Sequence, residues 1–287
     1  MSYILFSFPD CASHVIRMAL EELGAAYRDE VVDMHLGAHQ SPEFLKLNPR
    51  GMVPVLADES TGVTLSETGG ILQYLAEQEG ALSPAISDVA QRALFLKTLY
   101  FMSNTLHADA QIQYYTERYV GESRAESVRP FIKRRMRSHY QILDAQIADT
   151  GGPWLLGTNL SVCDFYLAGC VRWSLVAPRH DPLEREAVTS LPNLRALLER
   201  LETRESVIRA FAAEGTPRSA FFLAPVRSER TRDAGNMPWN AGQRASRYNQ
   251  ASFGTDWQVI SEAYADQSRF KSGPSNWTGN CAKSYRV

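Results

Sequence analysis

Two short segments of this 287-residue chain carry residues suited to holding a small peptide. In the first, residues 48–54, Pro54 begins a short apolar run, where a strand can start and a proline sacrifices no ladder hydrogen bond. A cis Val53–Pro54 bond would turn the backbone of Val53 outward, although only ~5–6% of X-Pro bonds in folded proteins are cis. A peptide lying along Val53 could then pair with its N–H and C=O as an added strand.

The second segment is the pair Glu67-Thr68, which closes a predicted strand at 63–65 and opens a predicted helix. The N–H groups in the first turn of that helix have no partner within the helix, so they can bind a carboxylate together with the hydroxyl of Thr68. Glu67 can accept a hydrogen bond from an ammonium group. An ordinary helix cap is the alternative for such a pair taken alone, and the order of both segments favours the peptide site.

In this order the two segments resemble the glutathione S-transferase family, and the resemblance covers about the first 215 residues. It implies a thioredoxin-like α/β domain that binds glutathione, followed by an all-helical domain. Met52, Val53 and Pro54 fall on the family's cis-proline segment. Glu67 and Thr68 fall on the pair that holds the γ-glutamyl end of glutathione.

The turn after the first predicted strand, residues 7–14, should lie beside the thiol of glutathione. A free thiol ionises near pH ~8.5, so a hydrogen-bond donor or a helix N-terminus that stabilises the thiolate creates the nucleophile at neutral pH. The turn lacks the tyrosine used by some classes, and it therefore resembles the serine and cysteine classes. Asp10 falls on the serine-class hydroxyl, where an ionised carboxylate cannot donate, and Cys11 falls on the thiol of the bacterial cysteine class.

Cys11 is therefore the first candidate for catalysis, with a thiol expected to be acidified near the helix start, and Ser13 is the second. The alternatives are a small core residue for Cys11 and an N-cap for Ser13. His39 falls where several classes carry a residue that reaches the glycine carboxylate of glutathione. An exposed histidine flanking a helix is the alternative for His39.

The second substrate is expected between the two domains, where pockets commonly form. Candidate lining residues are large side chains of the predicted helices: Tyr100, Met102, His107, Tyr114, Tyr115, Tyr119 and Trp173. Side chains of this kind at helical spacing more often belong to a core. The basic run 133–137 and His139 are expected on a solvated helix face.

The elements that position these residues divide the chain into three parts. Residues 1–80 show the order strand, helix, strand, helix, two strands and helix, whereas residues 88–215 are helical throughout, with long helices near 89–118 and 128–148. Ser161 and Asp164 form a capping box before a buried helix. Residues 216–287 form a mostly irregular extension expected to pack on the body. The fold class is thus α/β thioredoxin-like plus all-α, the fold of glutathione transferases.

The extension carries a net charge of +5, against −7 for the rest of the chain, and it holds three of the five tryptophans, Trp239, Trp257 and Trp277. Such aromatic content is unlike a solvated linker. We expect the extension to wrap the body as an extended belt that roofs the pocket or crosses a dimer.

Composition agrees with a soluble globular protein, at 44% hydrophobic and 22% charged residues. The net charge of −2 gives no support for nucleic-acid binding, and we expect no membrane span or signal peptide, hence a cytoplasmic location. The four cysteines are scattered without a Cys-x-x-Cys pair, which argues against a metal site or a disulfide framework.

The resemblance implies an enzyme of detoxification: a homodimeric glutathione transferase that directs the glutathione thiolate at an electrophile, aromatic or hydrophobic, or at a disulfide. One alternative is a glutathione-dependent ether-cleaving enzyme of aromatic catabolism, since such enzymes share the Asn-Pro-Arg-Gly segment and the extended length. Another is a non-catalytic binding module with the same fold, which Asp10 in place of a hydroxyl slightly favours.

Overall fold

The computed structural model describes residues 2–176, 181–216 and 222–223. The amino-terminal lobe is built on four strands, β1 (Ser2–Ser7), β2 (Ala26–Val31), β3 (Val55–Asp58) and β4 (Val63–Ser66). Their order in the sheet is β2-β1-β3-β4. β1 runs parallel to β2 and antiparallel to β3, and β4 is antiparallel to β3, so the sheet is mixed.

Local sequence signals set the helices of this lobe: α1 (Ser13–Leu23), α2 (Pro42–Leu47) and α3 (Thr68–Gln78), with a 3-10 turn at Ala38–Gln40. α1 ends at Gly24, whose positive φ of 63° closes the helix as predicted. α2 begins with Pro42 at its first position, after Ser41 accepts a hydrogen bond from the N–H of Phe44.

The second lobe is helical in its described part. Its α-helices are α4 (Val89–Phe101), α5 (His107–Tyr114), α6 (Thr116–Val120), α7 (Glu122–Asp149), α8 (Val162–Val176), α9 (Glu186–Thr189), α10 (Pro192–Glu202) and α11 (Glu205–Ala213). The predicted single helix at 89–118 is wrong in detail. A π-helical segment, Met102–Leu106, separates α4 from α5, and the non-helical backbone of Tyr115 separates α5 from α6. A single π-helical turn hardly alters the hydrophobic pattern of a helix, so that pattern does not predict it.

Alternation along β1 divides the core between the two faces of the sheet. Tyr3 and Leu5 belong to a large cluster that runs on through α1, α3 and the helical lobe. Ile4 and Phe6 point the other way, into a smaller cluster with Phe44 of α2. The large cluster spans both lobes, and they therefore share one core.

The predicted capping box before α8 is confirmed. Asp164 Oδ2 accepts hydrogen bonds from the backbone N–H and the hydroxyl of Ser161, at 2.8 and 2.9 Å, and Oδ1 accepts one from the N–H of Leu155 at 2.9 Å. Burial raises the pKa of Asp164 to about 6, with these three donors opposing the shift. The carboxylate thus ties the loop before α8 to the helix.

The solvated face predicted for the basic run of α7 is only partly correct. Lys133 and His139 are buried, whereas Arg134 is exposed. Lys133 Nζ lies 2.5 Å from Asp181 Oδ1, and His139 Nε2 lies 2.7 Å from Asp109 Oδ2. Both residues lie close to the buried stripe of the helix, where helical geometry places them against neighbouring elements.

The predicted belt at 216–287, with its three tryptophans, lies outside the described residues apart from three positions. Phe222 is buried against Phe211, with ring centroids 5.3 Å apart, and the N–H of Leu223 donates to Glu202 Oε1 at 2.9 Å. Across the described ranges, none of the helices combines the length and apolar character that crossing a membrane requires.

Candidate functional site

A cavity of about 210 Å³ lies between the two lobes. Its walls come from the sheet lobe, through Ala12, Asn48, Arg50, Met52, Val53, Pro54, Glu67 and Thr68, and from the helical lobe, through Ser103, Asn104, His107, Ala108, Gln111 and Tyr166. The two segments predicted to hold a peptide therefore meet at one cavity.

The turn at 48–52 is held by hydrogen bonds and contains a glycine in the left-handed region of the backbone map. The Val53–Pro54 bond that follows it is cis. Asn48 Nδ2 donates to the carbonyl of Met52 at 2.7 Å, and its Oδ1 accepts from the N–H of Arg50 at 3.1 Å. Gly51 has a φ of +60°, and a Cβ there would lie 2.9 Å from the carbonyl oxygen of His39. The Asn-Pro-Arg-Gly segment thus determines the backbone conformation of the turn that leads into Val53.

Glu67 and Thr68 stand at the start of α3 in an unusual backbone conformation. Glu67 has a φ of 72° and a ψ of 114°, which is rare for a residue other than glycine, and its side chain makes no capping hydrogen bond. Its carboxylate instead accepts from Arg50 Nη1 at 2.6 Å, with both side chains exposed. Thr68 is buried in the cavity wall as the first residue of α3. Glu67 is thus the N-cap residue of α3 without a side-chain capping hydrogen bond.

The π-helical segment shapes the opposite wall. Its residues Ser103 and Asn104 line the cavity, and α5 continues the same stripe through His107 and Gln111. A Cβ on Gly69 of α3 would lie 3.2 Å from the Ser103 side chain, so the first turn of α3 packs closely against this segment. π-helical segments are frequent at functional sites.

His107 and Tyr166 form an uncharged pair in this wall. His107 Nδ1 lies 2.8 Å from the hydroxyl oxygen of Tyr166, and the Trp173 ring lies against the imidazole with centroids 4.8 Å apart. Burial lowers the pKa of His107 to about 4, with the carboxylate of Glu67 opposing the shift. Burial raises the pKa of Tyr166 well above its usual value. At neutral pH the imidazole and the phenol are therefore both neutral.

The thiol loop, residues 8–12 between β1 and α1, brings Ala12 to the cavity, and neither Cys11 nor Ser13 lines it. The hydroxyl of Ser13 donates to the carbonyl of Phe8 at 3.0 Å and accepts from its N–H at 3.2 Å, and the residue is fully buried. Ala12, not Ser13, is the N-cap of α1.

Cys11 is half-buried and packs with Phe8 on the smaller core cluster. Burial, followed by the carboxylates of Glu214 and Asp10, raises the pKa of its thiol to about 12. The expectation of an acidified Cys11 is therefore wrong, because carboxylates and apolar side chains surround the sulfur where the prediction assumed only a helix start.

Asp10 directs its carboxylate into the helical lobe. It has a φ of 58°, and its Oδ1 accepts from Arg172 Nε at 2.8 Å, with Nη2 of the same guanidinium 2.6 Å away. The N–H of Asp10 donates to Glu214 Oε2 at 3.0 Å. The charge at this position is thus paired within the protein.

Of the seven predicted pocket residues, His107 lines the cavity and the other six do not. Tyr100 is exposed and donates to Gln73 Oε1 at 3.3 Å, while Tyr114 and Tyr115 pack edge to face with centroids 4.4 Å apart. The π-helical segment and the break at Tyr115 change the faces that these residues occupy relative to one regular helix. Trp173 packs against His107, which lines the cavity.

The remaining predictions for this region have mixed outcomes. Met102 is buried in the core and Tyr119 is exposed. His39 is buried beneath the turn and does not line the cavity, and its burial lowers the pKa of the imidazole. The exposed alternative for His39 is therefore wrong.

Sequence reasoning missed several cavity residues. Ser103, Asn104 and Gln111 form a polar stripe that could have been recognised from its helical spacing, whereas Tyr166, two residues after the capping box, carries no signal. Among the described residues there is no group of three or more His, Cys, Asp or Glu side chains that could hold a metal ion.

A mixed four-stranded sheet with a cis-proline turn, joined to a helical lobe across a shared cavity, defines a two-lobed protein of thioredoxin-like type. Residues 1–77 match the family model of the glutathione S-transferase N-terminal domain, and residues 105–214 match that of a C-terminal domain. The chain belongs to the glutathione S-transferase family. The family and the fold class predicted from the sequence are thereby confirmed.

Individual relatives are distant but match over most of their length. Disulfide-bond oxidoreductase YfcG of Escherichia coli K12 is 28% identical, over 72% of this chain and 93% of its own. A beta class glutathione S-transferase from Sphingomonas chungbukensis has a TM-score of 0.61 and 29% identity, covering 75% of this chain and 100% of that one. A Sulfitobacter glutathione transferase homologue with bound glutathione has a TM-score of 0.63 at 24% identity, covers 75% and 99%, and supports the fold alone.

Proposed function

We propose that this chain is a glutathione transferase that binds glutathione in the cavity between its lobes, stabilises the thiolate and directs it at a second substrate. The observation that carries the proposal is the meeting of the Met52–Val53–Pro54 segment and the Glu67-Thr68 pair in one cavity wall. Homodimer formation, a cytoplasmic location and a role in detoxification extend the proposal from the family resemblance.

In the proposed complex the cysteinyl backbone of glutathione pairs with Val53 as an added strand. The γ-glutamyl carboxylate accepts hydrogen bonds from the Thr68 hydroxyl and from the N–H groups that begin α3, where the helix dipole favours negative charge. The ammonium group of the same residue lies against Glu67. That carboxylate pairs with the exposed Arg50, an interaction weak enough in water for the ammonium to share or replace it.

The thiolate is proposed to be held by main-chain N–H groups at the start of α1. Ser13 has its hydroxyl engaged with Phe8, Asp10 is paired with Arg172, and Cys11 lies outside the cavity. Ala12, the N-cap of α1, is the residue of the thiol loop that lines the cavity. A helix N-terminus lowers the pKa of a thiol placed beside it.

The helical wall favours a second substrate that makes hydrogen bonds. Ser103, Asn104 and Gln111 are polar and uncharged, and the His107–Tyr166 pair is neutral. The lobe thus contributes several donors and acceptors where the sequence predicted a mainly aromatic lining. Such a wall suits a polar electrophile better than a flat apolar one, since an apolar group there would leave polar atoms without partners.

A peptide disulfide is the second candidate, and the polar wall supports it. The glutathione thiolate attacks one sulfur, a new S–S bond forms, and the other sulfur leaves as a thiolate that takes up a proton, so no external oxidant is needed. The relative from Escherichia coli is named a disulfide-bond oxidoreductase, which is consistent with this candidate.

Glutathione titration followed by calorimetry and by thiolate difference absorbance tests the proposal. We expect binding, with the pKa of the bound thiol below its free value of ~8.5. Thr68→Ala should weaken binding about ten-fold, equivalent to ~1.4 kcal/mol, because one donor to the carboxylate is lost. Thr189→Ala, on the remote helix α9, is the matched control and should leave binding unchanged. Binding with an unshifted thiol pKa would indicate a non-catalytic module, and no binding at all would reject the proposal.

A further inference from the structure

A group of buried charges joins the thiol loop to the helical lobe. Arg172, on α8, is 3% exposed and holds the carboxylate of Asp10 through two nitrogens. Glu214, directly after α11, is 6% exposed and accepts from the N–H of Asp10. One residue of the loop is therefore held by its side chain and by its backbone, each time by a residue of the other lobe.

Glu214 is the centre of this group. Its Oε1 lies 3.1 Å from His14 Nδ1 and 3.5 Å from Arg17 Nε, both on α1. Burial raises the pKa of Glu214, but these two residues and the N–H of Asp10 outweigh it and hold the pKa below its usual value. The carboxylate is thus ionised and is shared between the loop and the first turns of α1.

Arg17 continues the group toward the sheet. Its Nη2 lies 3.0 Å from both carboxylate oxygens of Asp29 and donates to Ser7 Oγ at 3.2 Å. Ser7 ends β1, so the group contacts the chain on both sides of the thiol loop.

Fold stability alone gives a poor account of this arrangement. Buried ion pairs add little net stability, because taking charges out of water offsets their attraction. A non-glycine residue in the left-handed region, such as Asp10, costs about 1 kcal/mol or more. In some proteins buried charges instead select one conformation among several, and a loop beside the thiol of the proposed function would need such selection.

We propose that Arg172 and Glu214 are positioning residues of the thiol loop, through which the helical lobe fixes the conformation of Asp10 and presents the N-cap of α1 to the cavity. The evidence for positioning is the set of contacts that Arg172 and Glu214 make with Asp10. The effect of positioning on the thiolate rests on the proposed function. Asp10 is accordingly the attachment point of the loop and takes no part in contacting sulfur.

Cys11 provides a direct readout of the loop, because it follows Asp10 and is half-buried, whereas Cys163 and Cys170 are fully buried. Iodoacetamide labelling, mapped by mass spectrometry, gives the rate at each cysteine, with the two buried ones as internal references. Arg172→Met should raise the labelling rate of Cys11 at least ten-fold relative to Cys163 and Cys170. Amide hydrogen exchange of residues 8–13 should accelerate by a similar factor, and this second readout does not depend on thiol ionisation.

A matched control is available in a second ion pair between the lobes. Arg204, at the start of α11, pairs with Glu22 of α1, away from the thiol loop. Arg204→Gln removes that contact and should leave both the labelling rate of Cys11 and the exchange of residues 8–13 within two-fold of the parent. A general loosening of the lobes would instead affect both variants.

Asp10→Ala keeps the test decisive if Arg172→Met fails to fold, since the Asp10 side chain is 47% exposed. It should accelerate exchange in the loop, and the double variant should be no faster than the faster single variant, because the two residues act as one pair. Unchanged exchange in Asp10→Ala, or additive effects in the double variant, would overturn the positioning role.

The two proposals can fail separately. If the parent binds glutathione with a lowered thiol pKa, Arg172→Met should return that pKa toward its free value of ~8.5. A loop that opens in Arg172→Met while the parent shows no glutathione binding would reject the proposed function and leave the positioning role supported. If the parent binds glutathione with a lowered thiol pKa, but neither Arg172→Met nor Asp10→Ala changes the labelling or exchange of the loop, the positioning role would be rejected and the proposed function would remain supported.

Discussion

Replacement of Gly51 by alanine tests how the turn at 48–52 supports the cavity. The backbone there has a φ of +60°, and a Cβ would lie 2.9 Å from the carbonyl oxygen of His39 and closer still to the Gln40 side chain. The amide of Gln40 can move aside, but the carbonyl belongs to the main chain beneath the turn. Gly51→Ala therefore combines backbone strain with a contact that only a shift of the turn relieves.

Gly62 supplies the matched control. It has a φ of +72° in the turn between β3 and β4, and a Cβ there would meet nothing within 4 Å. Gly62→Ala should lower the free energy of unfolding by about 1 kcal/mol, from strain alone. Gly51→Ala should lower it by ~2–4 kcal/mol, since overpacking adds a further 1–3 kcal/mol.

Urea denaturation of the two variants and the parent measures both values, and calorimetry measures glutathione binding. Because the turn leads directly into Val53, we expect Gly51→Ala to weaken glutathione binding at least ten-fold and Gly62→Ala to leave it unchanged. Equal losses of stability in the two variants, within ~0.5 kcal/mol, would refute the argument from contact. If Gly51→Ala is destabilised but binds glutathione with unchanged affinity, the turn does not support the binding site.

Three further predictions concern ionisable groups. Asp164→Ala should destabilise the protein by ~2–4 kcal/mol in urea denaturation, because three buried donors lose their acceptor, whereas Asp149→Ala at the exposed end of α7 should change stability by less than ~0.5 kcal/mol. The pKa of Glu214 is lower in the folded than in the unfolded protein, so its contribution to stability is complete above the unfolded pKa of ~4.3 and is lost as pH falls through the folded pKa. Glu214→Gln should remove this acid-sensitive contribution from the free energy of unfolding measured as a function of pH. The His107 ring should titrate by NMR near pH 4, and Glu67→Gln should lower the midpoint further, since the lost carboxylate favours the charged imidazole.

Features set by neighbouring residues could be predicted from the sequence. Gly24 ends α1 and Ser41 caps α2 because the signal and the structure that it specifies lie within one helical turn. The same holds for Asp164 and its capping box. The Met52–Val53–Pro54 and Glu67-Thr68 segments could also be predicted. Each lies within one turn, and only the two short strands β3 and β4 separate them in the sequence.

Features that depend on register or on distant contacts could not be predicted. The π-helical segment and the non-helical backbone at Tyr115 interrupt the regular helix predicted here, and neither Tyr100 nor Tyr115 lines the cavity. Near the start of α1, Ala12 lines the cavity, whereas its two neighbours Cys11 and Ser13, the residues singled out from the sequence, do not. Arg172 and Asp10 are 162 positions apart, and nothing near either residue indicates the other.

The pairing of Asp10 with Arg172 also changes what its presence in the thiol loop implies. From the sequence, a carboxylate on the family's hydroxyl position weakened the case for serine-class activation, because an ionised carboxylate cannot donate a hydrogen bond to the thiolate. In the structure the same carboxylate forms an ion pair with a buried guanidinium of the other lobe. Asp10 therefore anchors the loop, and under the proposed function the thiol is activated from the start of α1 instead. A thiolate held by main-chain N–H groups depends on loop geometry and on no single hydroxyl, which is why the contacts of Arg172 and Glu214 should influence it.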